Sequence, residues 1–171
     1  MTDSILTPAA SLLSPTPSNA PSAADASIIS SVSNPFERFN RLTAALHEPG
    51  LTPKRLGALG EAYGVLWLER RGWRVVDRNW HSRYGELDII ALTPDDRLSF
   101  VEVKTRRNAS FGSPQSAVNA HKQTTLRRAG IQWLQERGHD FPHVSTRFDV
   151  LAITVHGSRR APEVHLIPGA F

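Results

Sequence analysis

The sequence predicts an α/β fold, a mixed sheet flanked by helices in the order αβββαβ(β), behind a disordered N-terminal tail. Three observations carry that reading. A helical apolar spacing begins at Thr52, three short extended segments divided by turn residues follow it, and a second long helical stretch then leads into strand-like runs near the C-terminus.

Residues 1–34 hold nine Ser, six Ala and four Pro with two charges, a composition that buries too little apolar surface to offset chain ordering. Phe36, Phe39, Leu42, Ala45 and Leu46 keep a helical spacing, so a short helix is expected over 36–47 before Pro49-Gly50 breaks it. The division expected is a tail over 1–50 and a folded domain over 51–171. Thr52-Pro53 reads as an N-cap and first helical residue, and Leu56, Leu59, Tyr63, Leu66 and Trp67 give the helix its apolar stripe up to Arg71-Gly72. Extended segments are expected at 73–80, 86–92 and 98–105, joined by turns at 82–85 and 93–96, which together form an antiparallel meander. Ser113-Pro114 is expected to open a second helix that runs to Arg137 with Gly138 as its C′ residue. Strands at 147–155 and 163–167 complete the order.

The 171 residues and 40% hydrophobic content suit one domain with a tail. There are 20 Lys and Arg against 16 Asp and Glu, and the excess is uneven: residues 1–50 carry −2 and the remainder +6. With a sequence pI near 10.1, a polyanionic partner is expected. Cys is absent, which excludes disulfides, thiolate zinc, iron–sulfur clusters and a cysteine nucleophile, and leaves carboxylate or His for any metal. Neither a signal peptide nor a run of about 20 apolar residues is visible, so the expected location is the cytoplasm, away from membranes.

The chemistry is concentrated in polar residues set inside apolar strands. The run from Leu98 to Lys104 is apolar on both faces, as in a strand covered on both sides, yet it carries Glu102 and Lys104, which share a face by the two-residue alternation. In the preceding strand Glu86, Asp88 and Ile90 fall together. If Leu92 pairs with Leu98 across the turn, Ile90 faces Phe100 and Asp88 faces Glu102. Two carboxylates roughly 5 Å apart repel by about 3 kcal/mol at an effective dielectric near 20. Lys104 offsets part of this, and Mg²⁺ or Mn²⁺ held between oxygen ligands would offset more. The plain alternative is a solvated strand face.

Two helix anomalies point the same way. Glu61 sits among Gly57, Ala58, Gly64 and Val65, a shallow groove that lets another backbone approach. Lys122 interrupts the stripe of Val118, Thr125, Leu126, Ala129 and Trp133 that should cover the sheet, although snorkelling to the rim is the commoner fate of such a lysine. Arg83, Arg106, Arg107 and the 108–112 loop could grip phosphates. No phosphate-cradling glycine motif or Ser-His-Asp set appears, and none of the scattered histidines forms an H-x-x-x-H helix pair.

Gly60-Glu61-Ala62, Arg78-Asn79, the run Gly85-Glu86-Leu87-Asp88-Ile89-Ile90, the run from Phe100 to Arg106, Gly112, Lys122-Gln123 and Arg147-Phe148-Asp149-Val150 together resemble the YraN family of bacterial proteins, over residues 52 to about 155. The resemblance implies a restriction-endonuclease-like fold of the D…(D/E)-x-K nuclease type, similar in plan to archaeal Holliday-junction resolvases. It implies that Glu61, Asp88 and Glu102 are the acidic metal-site residues, with Lys104 the catalytic lysine and Lys122-Gln123 a helix-borne polar pair. The expected function is Mg²⁺- or Mn²⁺-dependent endonuclease action on DNA rather than RNA, branched or structured DNA included, with oligomeric state open and a homodimer among the options. A non-catalytic nucleic-acid-binding module of the same fold is the competing class, and a protein-assembly factor is a third.

Overall fold

The computed structural model describes residues 34–107, 118–157 and 160–171; the expected tail before Asn34, the 108–112 loop with Gly112, and the Ser113-Pro114 helix start lie outside them. The elements are α1 (Pro35–Leu46), α2 (Pro53–Glu69), β1 (Arg74–Ser82), β2 (Gly85–Leu92), β3 (Arg97–Arg107), α3 (Ala120–Arg137), a 3₁₀ turn (Gly138–Asp140), β4 (Ser145–Val155) and β5 (Glu163–Ile167). The five strands lie in chain order in one sheet. β1, β2 and β3 form the expected antiparallel meander, β3 pairs with β4 in parallel, and β5 returns antiparallel. A parallel neighbour requires a crossover, and α3 supplies it.

The sheet separates two apolar cores. On one face α1 and α2 pack through Leu42, Leu46, Leu59, Tyr63, Leu66 and Leu68 against Ile89, Val101, Val103, Leu151 and Ile153. On the other, α3 covers Leu87, Ile90, Leu98, Phe100 and Val150 with Leu126, Ala129 and Trp133. β3 serves both cores, which is why its sequence is apolar throughout. α1, which stands on the tail side of the compositional boundary at residue 50, is packed into the first core, and the Phe39 and Tyr63 rings meet at 4.6 Å.

Local chemistry sets the helix limits. Thr52 caps α2 by accepting from the Arg55 amide at 3.2 Å, with Pro53 following. α3 begins at Ala120, after the non-helical Val118 and Asn119, because the Asn119 side chain accepts the Lys122 amide at 2.9 Å and supplies the cap there. Gly138 does not act as a left-handed C′ residue: its φ is −59° and the chain continues into the 3₁₀ turn. The far end of α3 is tied down by Asp77, whose carboxylate accepts from Trp133 Nε1 at 2.9 Å and Arg137 at 3.0 Å. Fully buried Asp149 accepts from Ser99, Arg147 and the Gly169 amide at 2.7, 2.9 and 2.8 Å, fastening the segment after β5 back to β4. Among the described residues no helix is long and apolar enough to cross a membrane.

Of the groove read around Glu61, Gly64 is in close contact, and the neighbouring Gly60 is closer still. A Cβ placed on Gly60 would lie 1.7 Å from Thr105 Oγ1, and one on Gly64 would lie 2.9 Å from Leu151 Cδ2. Gly57 faces open space and takes no part. Gly60 thus fixes how closely α2 approaches β3, and Glu61 is the next residue.

Gly60→Ala is expected to cost about 1–3 kcal/mol through overpacking and to lower Tm by several degrees in a thermal scan. Removing the opposing hydroxyl with Thr105→Ala should recover part of that loss in the double variant. Strictly additive losses would show that the two positions do not press on each other.

Candidate active site

The site is built where β2 and β3 part. Their ladder follows the expected register from Leu92↔Leu98 through Ile90↔Phe100 and stops at Ile89↔Val101. Asp88 and Glu102 therefore do not stand as a facing pair. Instead the Asp88 carboxylate turns into the gap and accepts the Val103 amide at 2.7 Å. The alternation in β2 breaks at the same point, since Leu87 and Ile90, three residues apart, both enter the α3-side core. The grouping of Glu86, Asp88 and Ile90 on one face is thereby corrected. A side-chain oxygen has taken over a backbone acceptor's role, so the strand beyond it is free to diverge. In an extended strand a residue's amide and carbonyl point the same way, and the Val103 carbonyl shares that gap.

Glu102 is buried, with its side chain 3% exposed. Its Oε1 accepts from Lys104 Nζ at 2.5 Å and lies 3.3 Å from Lys122 Nζ. Its Oε2 is buried with no protein partner. Lys122 thus leaves the apolar stripe of α3 to reach a carboxylate, with its side chain 38% exposed. Glu61 enters from the opposite face on α2, where its Oε2 accepts Asn79 Nδ2 at 2.7 Å. Asn79 occupies the left-handed region at φ 50°, an uncommon state for a strand residue that Asn tolerates better than most. Sequence reasoning placed Asn79 only within a motif and gave it no role. The one local signal was an Asn inside a strand, where its β propensity is poor.

Burial and mutual repulsion dominate the electrostatics. Asp88 is pushed up to about 8, first by desolvation and then by the Glu102 charge, with Glu61 adding a smaller push; the Val103 amide and Lys104 oppose the rise. Glu61 is raised as well, chiefly by burial, against the Asn79 hydrogen bond. At neutral pH the crevice holds more carboxyl groups than it can ionise cheaply.

Other expected contacts lie elsewhere. Gln123 donates to the Val118 carbonyl at 3.1 Å, a local bond at the start of α3. Arg107 donates to the Leu46 and Glu48 carbonyls at the end of α1. Arg106 is half-buried on β3 with partners of its own. Arg83 is exposed at the β1–β2 turn, donating to the Tyr84 hydroxyl at 2.6 Å.

Among the described residues no three His, Cys, Asp or Glu groups gather closely enough to cage a metal. Asp88, Glu102 and the Val103 carbonyl are nonetheless hard oxygen donors of the kind a divalent cation such as Mg²⁺ prefers. The buried, unpartnered Glu102 Oε2 is the observation that fits such an ion, because a carboxylate oxygen without a donor is costly.

The profile of uncharacterised protein family UPF0102 matches residues 60–153, from the Gly60 contact through Ile153 in β4. The chain belongs to UPF0102. This is the YraN family, restriction-endonuclease-like in fold. A UPF0102 protein of Bifidobacterium longum subsp. infantis is 50% identical over 121 residues, 71% of this chain and 96% of the relative. One from Rhodococcus jostii is 45% identical over 117 residues, 68% and 95% of the two chains, and one from Geobacter sulfurreducens is 45% identical over 118 residues, 69% and 89%. The UPF0102 match takes in Glu61, Asn79, Asp88, Glu102, Lys104 and Lys122 and leaves α1 outside.

A raised Asp88 makes a signed prediction for the metal-free protein. Unfolded, the carboxyl has its ordinary value near 3.8; folded, it holds its proton to about 8, so folding takes up a proton and stability falls as pH rises between those values. Asp88→Asn, which can still accept the Val103 amide, is expected to raise Tm at pH 7 by about 4 °C or more in chelator-treated protein. The gain should vanish near pH 3.5. An equal gain at both pH values would show that ionisation is not its source.

Proposed function

We propose that this UPF0102 chain is a divalent-cation-dependent endonuclease that hydrolyses phosphodiester bonds in DNA, branched or structured DNA included. The observation that carries the reading is Glu102: a buried carboxylate with one oxygen held by two lysine ammoniums and the other without a partner, beside an Asp88 carboxyl that burial keeps near neutrality. The restriction-endonuclease-like fold of the family and the +6 charge of residues 51–171 support it.

Mg²⁺ or Mn²⁺ held by Asp88, Glu102 and the Val103 carbonyl would neutralise charge on the scissile phosphate and lower the pKa of water. The protein does the rest by position. Lys104, fixed on Glu102, aims its remaining hydrogens at the crevice and orients the attacking water. Lys122 meets the same carboxylate from α3 and adds positive charge where the phosphate's own charge grows. Glu61, steadied by Asn79, accepts hydrogen bonds from water on the α2 side. The Asp88 proton would be displaced by a cation bound there, so cation binding is expected to release protons and to strengthen as pH rises toward 8.

The test is a cleavage screen over single-stranded, duplex and branched DNA and RNA with Mg²⁺ or Mn²⁺. Wild type should cut at least one DNA, and Glu102→Ala should not. Lys104→Met keeps much of the stem and loses the charge, so nucleic-acid binding should survive while cleavage falls by at least about 10²-fold. Calorimetric Mn²⁺ titration should show a site in wild type that Asp88→Ala lacks. Full cleavage by Lys104→Met at saturating metal would move the chemistry elsewhere, and nucleic-acid binding without any cutting by wild type would favour a binding module.

A further inference from the structure

α3 carries positive charge away from the crevice along a defined line. Residues 120–135 include Lys122, Arg127 and Arg128 and no Asp or Glu. Lys122 stands at the crevice, 3.3 Å from Glu102. One turn on, Thr125 touches the β1–β2 hairpin, its Cγ2 lying 3.0 Å from where a Gly85 Cβ would be. One further turn on, the Arg128 guanidinium lies 5.9 Å from the Tyr84 ring centroid. Arg83 lies over the same ring at 4.8 Å and donates to its hydroxyl at 2.6 Å. One half-buried tyrosine on the hairpin thus collects two exposed guanidiniums from separate elements.

We propose that Arg83 and Arg128, held on Tyr84, form a phosphate clamp for the substrate strand, which runs along α3 from the crevice toward the β1–β2 hairpin. Six residues of helix separate Lys122 from Arg128, about 9 Å. At a rise of about 3.4 Å per nucleotide, the clamp grips the backbone roughly two to three nucleotides from the scissile phosphate. The ring orders both guanidiniums before the ligand arrives, which reduces the rotamer entropy lost on binding, and guanidinium donors match phosphate oxygens. Beside the line Glu86 is half-buried with His81 3.5 Å away, and Glu61 belongs to α2 on the opposite face, turned to Asn79. The clamp reads backbone, so it favours a polyanionic strand over any base sequence. The proposal rests on the nuclease reading above.

The experiment measures affinity for a fluorescent DNA duplex against salt in the full chain, with Mn²⁺ titration and hydrolysis of bis(p-nitrophenyl) phosphate in parallel. That small diester is too short to bridge the roughly 9 Å along α3 from Lys122 to Arg128. Arg128→Gln is expected to weaken DNA binding about 3- to 10-fold at low salt and reduce the slope of log K against log salt by about one. Tyr84→Leu, which removes no charge, should weaken DNA binding as well because both guanidiniums lose their support. Arg127→Gln makes the same charge change one residue away, where the guanidinium lies over Phe171, and should leave the slope nearly intact. Mn²⁺ affinity and small-diester hydrolysis should be unchanged in all three. Equal loss in Arg127→Gln and Arg128→Gln, or DNA binding by Arg128→Gln with the wild-type slope, would overturn the clamp while leaving the nuclease reading standing. A wild type that neither binds nor cuts any nucleic acid would overturn both.

Discussion

The rest of the crevice depends on one hydrogen bond, the Val103 amide donated to the Asp88 carboxylate. Where an antiparallel ladder would continue, a side chain substitutes for the neighbouring strand, and β2 and β3 are released from each other without leaving that buried amide unpaired. The opening so created is what lets carboxyl groups from three elements approach. Glu102 comes from β3, Asp88 from β2 and Glu61 from α2, and each is constrained by a neighbour, Lys104 and Lys122, Val103, or Asn79.

Such an arrangement works against folding stability. Desolvation and like charge hold Asp88 near neutrality, and Glu102 keeps a buried oxygen without a donor. The two apolar cores supply the opposing stability, and β3 is their common wall. The scaffold is also made exact at the points that matter to the crevice. Gly60 allows α2 against Thr105, so Glu61 enters at the right depth; Asp77 pins the distal end of α3, so Lys122 is presented at the proximal one. Lys122 is the link between the two layers, because it belongs to the α3 face and yet terminates on a β3 carboxylate.

Much of the fold was legible locally. Thr52-Pro53 marks the start of α2 without help from the tertiary structure, and the turn between Leu92 and Leu98 sets the register of four successive pairs. Glu102 and Lys104 stood out because charged residues in a doubly covered strand demand partners. The departures share a cause. The break at Asp88, the left-handed Asn79 and the start of α3 at Ala120 all turn on which side chain takes a particular backbone or carboxylate group, and periodicity carries no information about that choice. Arg107 and Gln123 illustrate the same limit: their residue types suit phosphate contact, but carbonyls of α1 and of Val118 claim their donors.

By itself, the sequence determined the α/β order, the antiparallel meander, the charge-bearing strand and the short roster of acidic and lysine side chains from which the site is made, because each of these follows from spacing along the chain. Only the tertiary structure decided how they meet. Asp88 lies in the sheet gap instead of opposite Glu102, Asn79 holds Glu61, Lys122 reaches Glu102 from another layer, and Tyr84 gathers Arg83 with Arg128. The physical reason is that local propensities act over a few residues, whereas burial, ion pairing and hydrogen-bond satisfaction are settled between groups up to tens of positions apart and exist only once the layers have closed.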